Sequence, residues 1–216
     1  MKPLPSLVLC SLLFASCTLG TDIKGTDSTP LMLAMRLRAP LGLEERGAAK
    51  EPLRIELAAE TAFGDFRQKT SGVSTDYQLV QLGAGLRYSL SRGKEYSLDL
   101  LGGLIWNRAE IEFPSGGSKI RSDRIGFGPQ VGLELDYRFT PEFEAYGRAT
   151  YGVLLGDLGT SGQAEAGLRY KAMDQLHVFL AYRHWRYRNE DILGNKGVGD
   201  LDLSSNGFLL GAEIRF

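Results

Sequence analysis

Apolar and polar residues alternate with a period of two along most of this chain, and that pattern limits the fold more than any other feature. Between residues 125 and 139 every second residue is apolar, aromatic or proline, and the residues between them are glycine, glutamine or charged. Successive side chains of a β-strand point to opposite sides, so the pattern predicts a strand with one apolar face. A helix would scatter the same residues around its axis.

The same alternation recurs in eight segments that are long enough to cross a bilayer at a tilt. They are residues 53–65, 76–90, 95–112, 121–139, 142–155, 162–171, 175–188 and 204–216. A ninth segment at residues 31–41 sets Leu31, Leu33 and Met35 against Arg36 and Arg38. If both ends of the barrel lie on the periplasmic side, the number of spanning strands must be even.

We therefore predict an all-β fold, an antiparallel up-and-down transmembrane β-barrel of eight strands in which residues 31–41 do not span. Ten strands is the alternative, if one later hairpin has been missed. A third option threads the N-terminal segment through the lumen.

The connections between these segments alternate in length. Short ones fall at residues 91–93, 140–141 and 172–174, whereas longer polar ones fall at residues 67–75, 113–120, 156–161 and 189–204. Outer-membrane barrels have short periplasmic turns and longer extracellular loops, so the chain is expected to end on the periplasmic side.

A soluble β-sandwich would also alternate, but the positions of the aromatic residues favour a membrane barrel. Amphipathic rings gather at the two headgroup levels of a bilayer, so a spanning barrel is expected to carry two aromatic belts. The belt near the short turns is predicted to hold Tyr88, Tyr96, Tyr137, Phe139, Phe143, Tyr170 and Phe216. The belt near the long loops is predicted to hold Tyr77, Trp106 and Phe127.

The polar faces of the strands carry charges of both signs and many of the 27 glycines. Closing a small barrel points these residues into a narrow lumen, where unpaired charge is costly, so we predict a cross-strand network of ion pairs. The predicted members are Arg54, Glu56, Glu60, Arg87, Asp99, Glu134, Arg138, Glu144, Arg148, Glu165, Arg169, Glu213 and Arg215. A lumen filled in this way predicts a plugged core rather than an open channel.

The first residues have the pattern of an export signal. Lys2 precedes an apolar core that is too short for a membrane-spanning helix, which predicts a signal peptide over residues 1–16. The run ending at Cys17 resembles the lipobox of bacterial lipoproteins, and this resemblance implies lipidation of Cys17; ordinary cleavage after Gly20 is the alternative. Residues 17–30 are predicted to be a polar tether and residues 31–216 the barrel domain.

Two stretches resemble known outer-membrane proteins. The last strand resembles their assembly signal through alternating apolar residues and a terminal aromatic, namely Phe208, Leu210, Ile214 and Phe216. The stretch Arg124–Tyr137 resembles strands of the OmpA/OmpX-like superfamily and, together with Ala181–Phe216, is similar to pore-forming major outer-membrane proteins. The resemblance implies a protein of the bacterial outer membrane that is inserted by the barrel-assembly machinery.

A catalytic role must be weighed, because some small barrels modify lipids. His184 lies where a lipid A deacylase would keep its histidine, but that family follows it with Ser-Asn, and Arg186-Tyr187 stand there instead. Ser204 or Ser205, with Glu190 or Asp191, could complete a hydrolase site, and the chain's other histidine is His177. We expect no enzyme, with His184 and its aromatic neighbours Trp185 and Tyr187 in the outer aromatic belt.

Other site chemistries find little support. The loop 191–202 holds oxygen ligands and glycines, but its spacing does not match an EF-hand, so we expect no metal and no cofactor. A net charge of −1 gives no footprint for nucleic acid. The mature domain contains no cysteine pair, because Cys10 and Cys17 lie in the N-terminal region.

The expected partners are outer-membrane lipid and lipopolysaccharide, and we expect a monomer. Basic residues near the outer edge could pair with lipopolysaccharide phosphates; they are Arg67, Lys69, Lys119, Arg121, Arg186 and Arg188. The predicted function is envelope integrity or surface contact. The alternatives are a narrow porin-like channel and an outer-membrane lipid-modifying hydrolase.

Overall fold

A computed structural model describes residues 21–22, 27–28, 30–41, 53–67, 74–115, 118–155, 159–189 and 201–216. The predictions for the signal peptide, Cys17, Lys69, Glu190 and Asp191 therefore lie outside the described residues. The described part of the chain contains no helix long and apolar enough to cross a membrane.

Eleven strands make up the described structure. They are β1 (Thr21–Asp22), β2 (Asp27–Ser28), β3 (Leu31–Pro40), β4 (Leu53–Arg67), β5 (Ser74–Arg92), β6 (Tyr96–Ser115), β7 (Ser118–Arg138), β8 (Phe143–Val153), β9 (Thr160–Lys171), β10 (Leu176–Asn189) and β11 (Leu201–Arg215). The loop predicted at residues 113–120 is largely strand, because β6 and β7 stay paired as far as Ser115 and Ser118.

Nine of these strands, β3 to β11, form one closed barrel, which confirms the prediction of an all-β barrel. Both strand counts considered from the sequence, eight and ten, are wrong. The physical reason is the closure. Every other neighbouring pair in the barrel is antiparallel, but β11 and β3 pair in parallel, from Leu210 opposite Leu33 to Arg215 opposite Arg38. A parallel pair lets an odd number of strands close, so residues 31–40 are a full member of the barrel.

The parallel closure also sets where the barrel begins. We call the end with the connections 93–95, 139–142 and 172–175 the short-turn end, and the opposite end the loop end. β11 runs towards the short-turn end, so β3 does too, and Leu31 starts at the loop end. The expectation that the barrel starts at the same end as it finishes is therefore wrong. Just before Leu31, β1 and β2 pair with each other and lie against β11 and β4.

Alternation along the strands places apolar side chains on the outer face, as the sequence predicts. The inner face carries the charged residues together with an apolar cluster of Met32, Ala34, Tyr146, Phe179, Ala181 and Leu209. On β7, Val131 is 59% exposed on the outside, whereas Glu134 is 0% exposed on the inside. Tyr77 breaks the predicted outer belt, because it lies on the inner face and is buried. Its position in β5 has the opposite parity to Leu82, which is exposed on the outside.

Glycines on the inner face allow close approaches that a side chain would block. A Cβ on Gly85 would lie 2.7 Å from the carbonyl oxygen of Gly102 on the next strand. A Cβ on Gly211 would lie 2.6 Å from the carbonyl oxygen of Ala34 and would also overlap the ring of Phe179. These glycines leave room for the large side chains that fill the barrel.

Candidate functional site

The interior of the barrel holds a set of buried arginine–carboxylate ion pairs that fall into two groups, a larger one around Glu134 and a smaller one around Glu165. Each of the nine barrel strands contributes to the set. We call this set the lumen network. Its members are Arg36, Arg38, Arg87, Arg148, Arg169, Arg183 and Arg215 together with Glu56, Glu60, Asp99, Glu134, Asp136, Glu144, Glu165 and Glu213. All are buried except Arg148 and Arg215, which are partly exposed.

Glu134 is the centre of the lumen network. Its carboxylate oxygens lie 2.8 Å from Nη2 of Arg38, 2.9 Å from Nη1 of Arg87 and 3.3 Å from Nη1 of Arg148. Arg169 also pairs with it through Nη2. One carboxylate with no exposed surface thus contacts arginines from β3, β5, β8 and β9. Glu134 thereby links strands on different sides of the barrel.

Further carboxylates share the same arginines. Glu56 accepts a hydrogen bond from Nε of Arg38 at 3.0 Å and from Nη1 of Arg148 at 2.5 Å. Asp136 accepts from Nη2 of Arg87 at 2.7 Å. Because each of these arginines also contacts Glu134, removing one member disturbs several pairs at once.

At the short-turn end the lumen network continues to the C-terminal strand. Glu144 accepts hydrogen bonds from Nη1 of Arg169 at 2.5 Å and from Nη2 of Arg215 at 2.8 Å. Glu213 lies 2.9 Å from Nη1 of Arg38 and also pairs with Arg215. The side chains of β11 are therefore tied into the interior as well as hydrogen-bonded along the sheet.

Towards the loop end, two arginines and two glutamates form a balanced cluster. Glu165 lies 2.5 Å from Nη2 of Arg36 and 2.5 Å from Nη2 of Arg183. Glu60 lies 2.8 Å from Nη1 of Arg183 and 3.4 Å from Nη2 of Arg36. Each arginine contacts both carboxylates, and the two positive charges balance the two negative ones.

Aromatic rings complete the surroundings of two arginines. The guanidinium carbon of Arg169 lies 3.7 Å from the ring centre of Tyr146, and that of Arg36 lies 4.9 Å from the ring centre of Phe179. The two rings meet edge to face, with their centres 5.9 Å apart. Such cation–π contacts stabilise a charged group where water is excluded.

The space left around the lumen network is small at the loop end. A cavity of about 20 Å³ lies there, and another of about 40 Å³ lies nearer the middle of the barrel beside Glu56 and Gln130. They have room for about one to four water molecules each. Large buried side chains fill the rest, among them Ile105, Trp185 and Leu209. The described interior is therefore packed like a core.

All residues predicted for the lumen lie in this network except Arg54 and Arg138. These two lie at the short-turn end, and neither makes an ion pair with a described residue. The sequence reading missed Arg36, Arg38, Asp136 and Arg183. Asp136 and Arg183 could have been found by parity alone, since each lies on the polar face of its strand.

The residues of the predicted assembly signal face outwards. Phe208, Leu210 and Phe216 are exposed and Ile214 is partly so, and the rings of Phe208 and Tyr182 meet edge to face with their centres 5.6 Å apart. The backbone N–H of Phe216 donates to the carbonyl oxygen of Arg38 at 2.9 Å. This bond fixes the end of the chain beside β3 at the short-turn end.

The two histidines lie on opposite faces of β10. His184 is exposed on the outer face, and its Nδ1 lies 2.6 Å from Oδ1 of Asn206. His177 is half-buried on the inner face, opposite Glu213 in the register. Trp185, expected in the outer belt beside His184, is buried inside the barrel, so that placement is wrong.

Candidate hydrolase and metal positions are placed only in part. Ser204 and Ser205 pair in register with Arg186 and Trp185, and nothing is described of the two serine side chains. Among the described residues, no three or more histidine, cysteine, aspartate or glutamate side chains are arranged to hold a metal ion. Of the basic residues predicted at the outer edge, Arg186 is described with its side chain and is exposed.

A larger cavity of about 390 Å³ opens at the short-turn end, and we call it the basin. Six cationic side chains line it: Arg38, Arg54, Arg92, Lys94, Arg138 and Arg215. Three carboxylates line it as well: Glu95, Asp136 and Glu144. Outside the basin, at the same end, Lys171 donates to a carboxylate oxygen of Asp174 at 2.9 Å, which lowers the pKa of that exposed carboxyl.

Comparison with known proteins gives one family and several distant structures, among them a porin and a channel. The sequence model of a family described as "Protein of unknown function, DUF481" matches residues 62–196. No curated protein matches the chain closely enough to count as a relative. Among solved structures, the NanC porin is 10% identical with a TM-score of 0.31, over 93% of this chain and 98% of that chain. The CymD monoaromatic hydrocarbon channel is 12% identical with a TM-score of 0.27, over 92% and 70%. TM-scores this low carry no argument about function.

Proposed function

Because this chain belongs to the DUF481 family, whose function is unknown, we propose its role from its own geometry. It is an integral protein of the bacterial outer membrane, and the lumen network blocks the inside of its barrel. It serves envelope integrity or contact at the cell surface, and it does not transport solutes. The observation that carries this proposal is Glu134, which is fully buried and paired with four arginines across the lumen.

The lumen network supports a closed barrel for an energetic reason. A solute-sized passage would require these side chains to separate, which would leave buried charges without partners. Separating two opposite charges from about 4 Å at an effective dielectric constant of about 20 costs about 4 kcal/mol, and Glu134 has four such partners. Opening the lumen is therefore expected to be rare.

The outer surface supports a membrane location. Large apolar side chains are exposed on the outer face of every barrel strand except β3, and soluble monomers rarely expose so much apolar surface. These side chains include Leu57, Leu82, Leu86, Leu100, Leu104, Val131, Leu133, Leu135, Leu168, Leu180 and Leu210. Tyrosine and phenylalanine border them at the short-turn end, among them Tyr88, Tyr96, Tyr137, Phe139, Phe143 and Tyr170.

The remaining parts of the proposal follow from the sequence. Residues 1–16 export the chain, Cys17 is the lipidated residue of the mature protein, and residues 208–216 are read by the barrel-assembly machinery. The barrel is a monomer, and exposed cations at the loop end, such as Arg186, pair with lipopolysaccharide phosphates. No enzymatic step belongs to this function.

Gel mobility of outer-membrane fractions tests the proposal. A membrane barrel stays folded in detergent until it is boiled, so boiled and unboiled samples should migrate differently. The expected result is a heat-modifiable band in the outer-membrane fraction. A band that leaves with the soluble fraction and migrates identically with and without boiling would exclude the proposal.

A narrow channel is the second candidate, and the basin is the observation that favours it. A cavity of about 390 Å³ at one mouth is what the entrance of a pore would show. The lumen network would then have to act as a gate. Conductance in planar bilayers separates the two candidates.

A further inference from the structure

The basin has more positive charge than its own carboxylates can neutralise. Asp136 already accepts hydrogen bonds from Arg87 and Arg169, and Glu144 from Arg169 and Arg215. The third carboxylate, Glu95, accepts a hydrogen bond from the hydroxyl of Tyr137 at 3.2 Å. The charges of Asp136 and Glu144 are therefore already matched by arginines of the lumen network. Glu95, whose donor is an uncharged hydroxyl, is the one of these three carboxylates left to offset the other cations of the basin.

The cations of the basin fall into two groups. Arg38 and Arg215 form its floor and are fully engaged with carboxylates of the lumen network. Arg54, Arg92, Lys94 and Arg138 form its wall, and none of these four pairs with a carboxylate of a described residue. Arg54 is also partly buried, opposite Arg87 in the register, so like charges stand side by side. An anion in the basin would relieve this repulsion.

We propose that the basin binds a phosphate group between the wall cations Arg54, Arg92, Lys94 and Arg138. A guanidinium presents a planar fork of N–H donors that matches two phosphate oxygens, and an ammonium adds a point charge. A phosphate monoester carries about −1.5 to −2 charges at neutral pH, which suits a wall with several cations. The volume of about 390 Å³ holds the phosphate and a small organic group attached to it.

The fold positions the backbone of the wall, where Arg54 is partly buried and Arg92, Lys94 and Arg138 carry exposed side chains. Arg54 and Arg138 extend from β4 and β7, on different sides of the basin. The turn that carries Lys94 is tied to β7, because the backbone N–H of Arg138 donates to the carbonyl oxygen of Glu95 at 2.6 Å. The phosphate is supplied either by a soluble ester or by a lipid headgroup, since both present the same chemistry.

Titration of the purified full-length barrel with inorganic phosphate tests the proposal. Calorimetry in a nonionic detergent at low salt should show saturable binding that weakens as sodium chloride is added. The double variant Arg54→Gln/Arg138→Gln should bind at least about tenfold more weakly, because two charge-assisted hydrogen-bonding groups are lost. Lys171→Gln is the matched control: it removes a cation at the same end but outside the basin, and it should bind like the parent.

Two results would overturn the proposal: no saturable binding by the parent chain, and equal affinity of the parent and the double variant. Heat-modifiable mobility verifies that each variant folds, and Lys94→Gln provides a second variant from the turn if the double variant does not fold.

Titrations of the barrel in nanodiscs distinguish the two sources of the phosphate. If a lipid headgroup supplies it, phosphatidylglycerol will compete with inorganic phosphate for the parent barrel, and the double variant will not show this competition. If a soluble ester supplies it, the titration will be the same in discs with and without that lipid. The inference rests on the proposed function only for placing the basin in the periplasm. A soluble, heat-insensitive protein would overturn that function without changing the phosphate titration.

Discussion

Arg38 and Glu134 form an ion pair across the lumen: Nη2 of Arg38 on β3 lies 2.8 Å from Oε1 of Glu134 on β7, a strand that is not its neighbour in the barrel. The two residues are 96 positions apart in the sequence. Both are almost fully buried, so the pair is shielded from water and salt. Contacts of this kind link strands that are not neighbours in the sheet. We therefore expect the fold to be most sensitive to single substitutions in the interior.

Replacing Glu134 with glutamine should destabilise the barrel strongly. Glutamine keeps the shape of the side chain but removes the charge that four arginines share. Removing one partner of a buried ion pair typically costs about 3–5 kcal/mol. We expect a loss of this size in urea unfolding in lipid vesicles, followed through the folded, heat-modifiable band.

Glu142→Gln is the control for this change. Glu142 lies in an exposed turn, where its carboxylate accepts a hydrogen bond from the Thr140 hydroxyl at 3.0 Å. Its replacement should change the free energy of unfolding by less than about 0.5 kcal/mol. Equal effects of the two variants would mean that the lumen network does not stabilise the fold.

Removing both members of one ion pair from the balanced cluster should destabilise the barrel less than the two single replacements added together. Arg36→Met leaves two buried glutamates to one arginine, and Glu165→Gln leaves the reverse. The double variant leaves Arg183 and Glu60 as a pair at 2.8 Å. A double-mutant cycle in urea should therefore give less destabilisation for the double variant than the sum of the singles, by about 0.5–3 kcal/mol. Additive effects would argue against a shared cluster.

An arginine introduced on the outer face should destabilise the barrel by an amount that depends on its depth in the bilayer. Val131 and Met173 are similarly exposed, at 59% and 64%, but Val131 lies well inside β7 and Met173 in a short turn. In a bilayer, arginine near the midplane costs about 2–4 kcal/mol and near the interface about 0–1 kcal/mol. Val131→Arg should thus lower the yield and the unfolding midpoint in vesicles, and Met173→Arg should not. Two equally harmless variants would indicate that the outer face meets water.

The direction of β3 predicts which residues are reached from outside the cell. Because β3 runs in parallel with β11, Asp27 lies at the loop end, whereas Lys94 lies in a short turn at the other end. With the loop end outside, a membrane-impermeant maleimide should label Asp27→Cys in intact cells and Lys94→Cys only after permeabilisation. The parent chain gives the background. If both cysteines require permeabilisation, the parallel closure is wrong.

The faces of the strands could be predicted from the sequence because alternation is local. The position of a residue such as Val131 depends only on the parity of its own strand, and simple counting also places Tyr77 inside. The pairing of the strands could not be predicted in this way. A strand that pairs in parallel shows the same alternation as one that pairs antiparallel, so residues 31–40 gave no indication of their partner on β11.

The lumen network was predictable in kind but not in its connections. Parity shows that Arg38 and Glu134 both face the lumen, but only the closed barrel shows that they meet. Arg36 and Arg38 were left out of the predicted network because the parity of an all-antiparallel barrel had excluded their strand. The basin is lined by the turn at 93–95 and by residues from seven strands at one end of the barrel, and no single segment of the sequence shows it.

Single-channel recording in planar bilayers tests the central claim most directly. The full-length barrel, inserted from samples shown to be folded by their heat-modifiable mobility, should give no conductance steps at moderate voltage, because the lumen network fills the interior. Stable ohmic steps from the unmodified chain would contradict the account and identify the barrel as a channel.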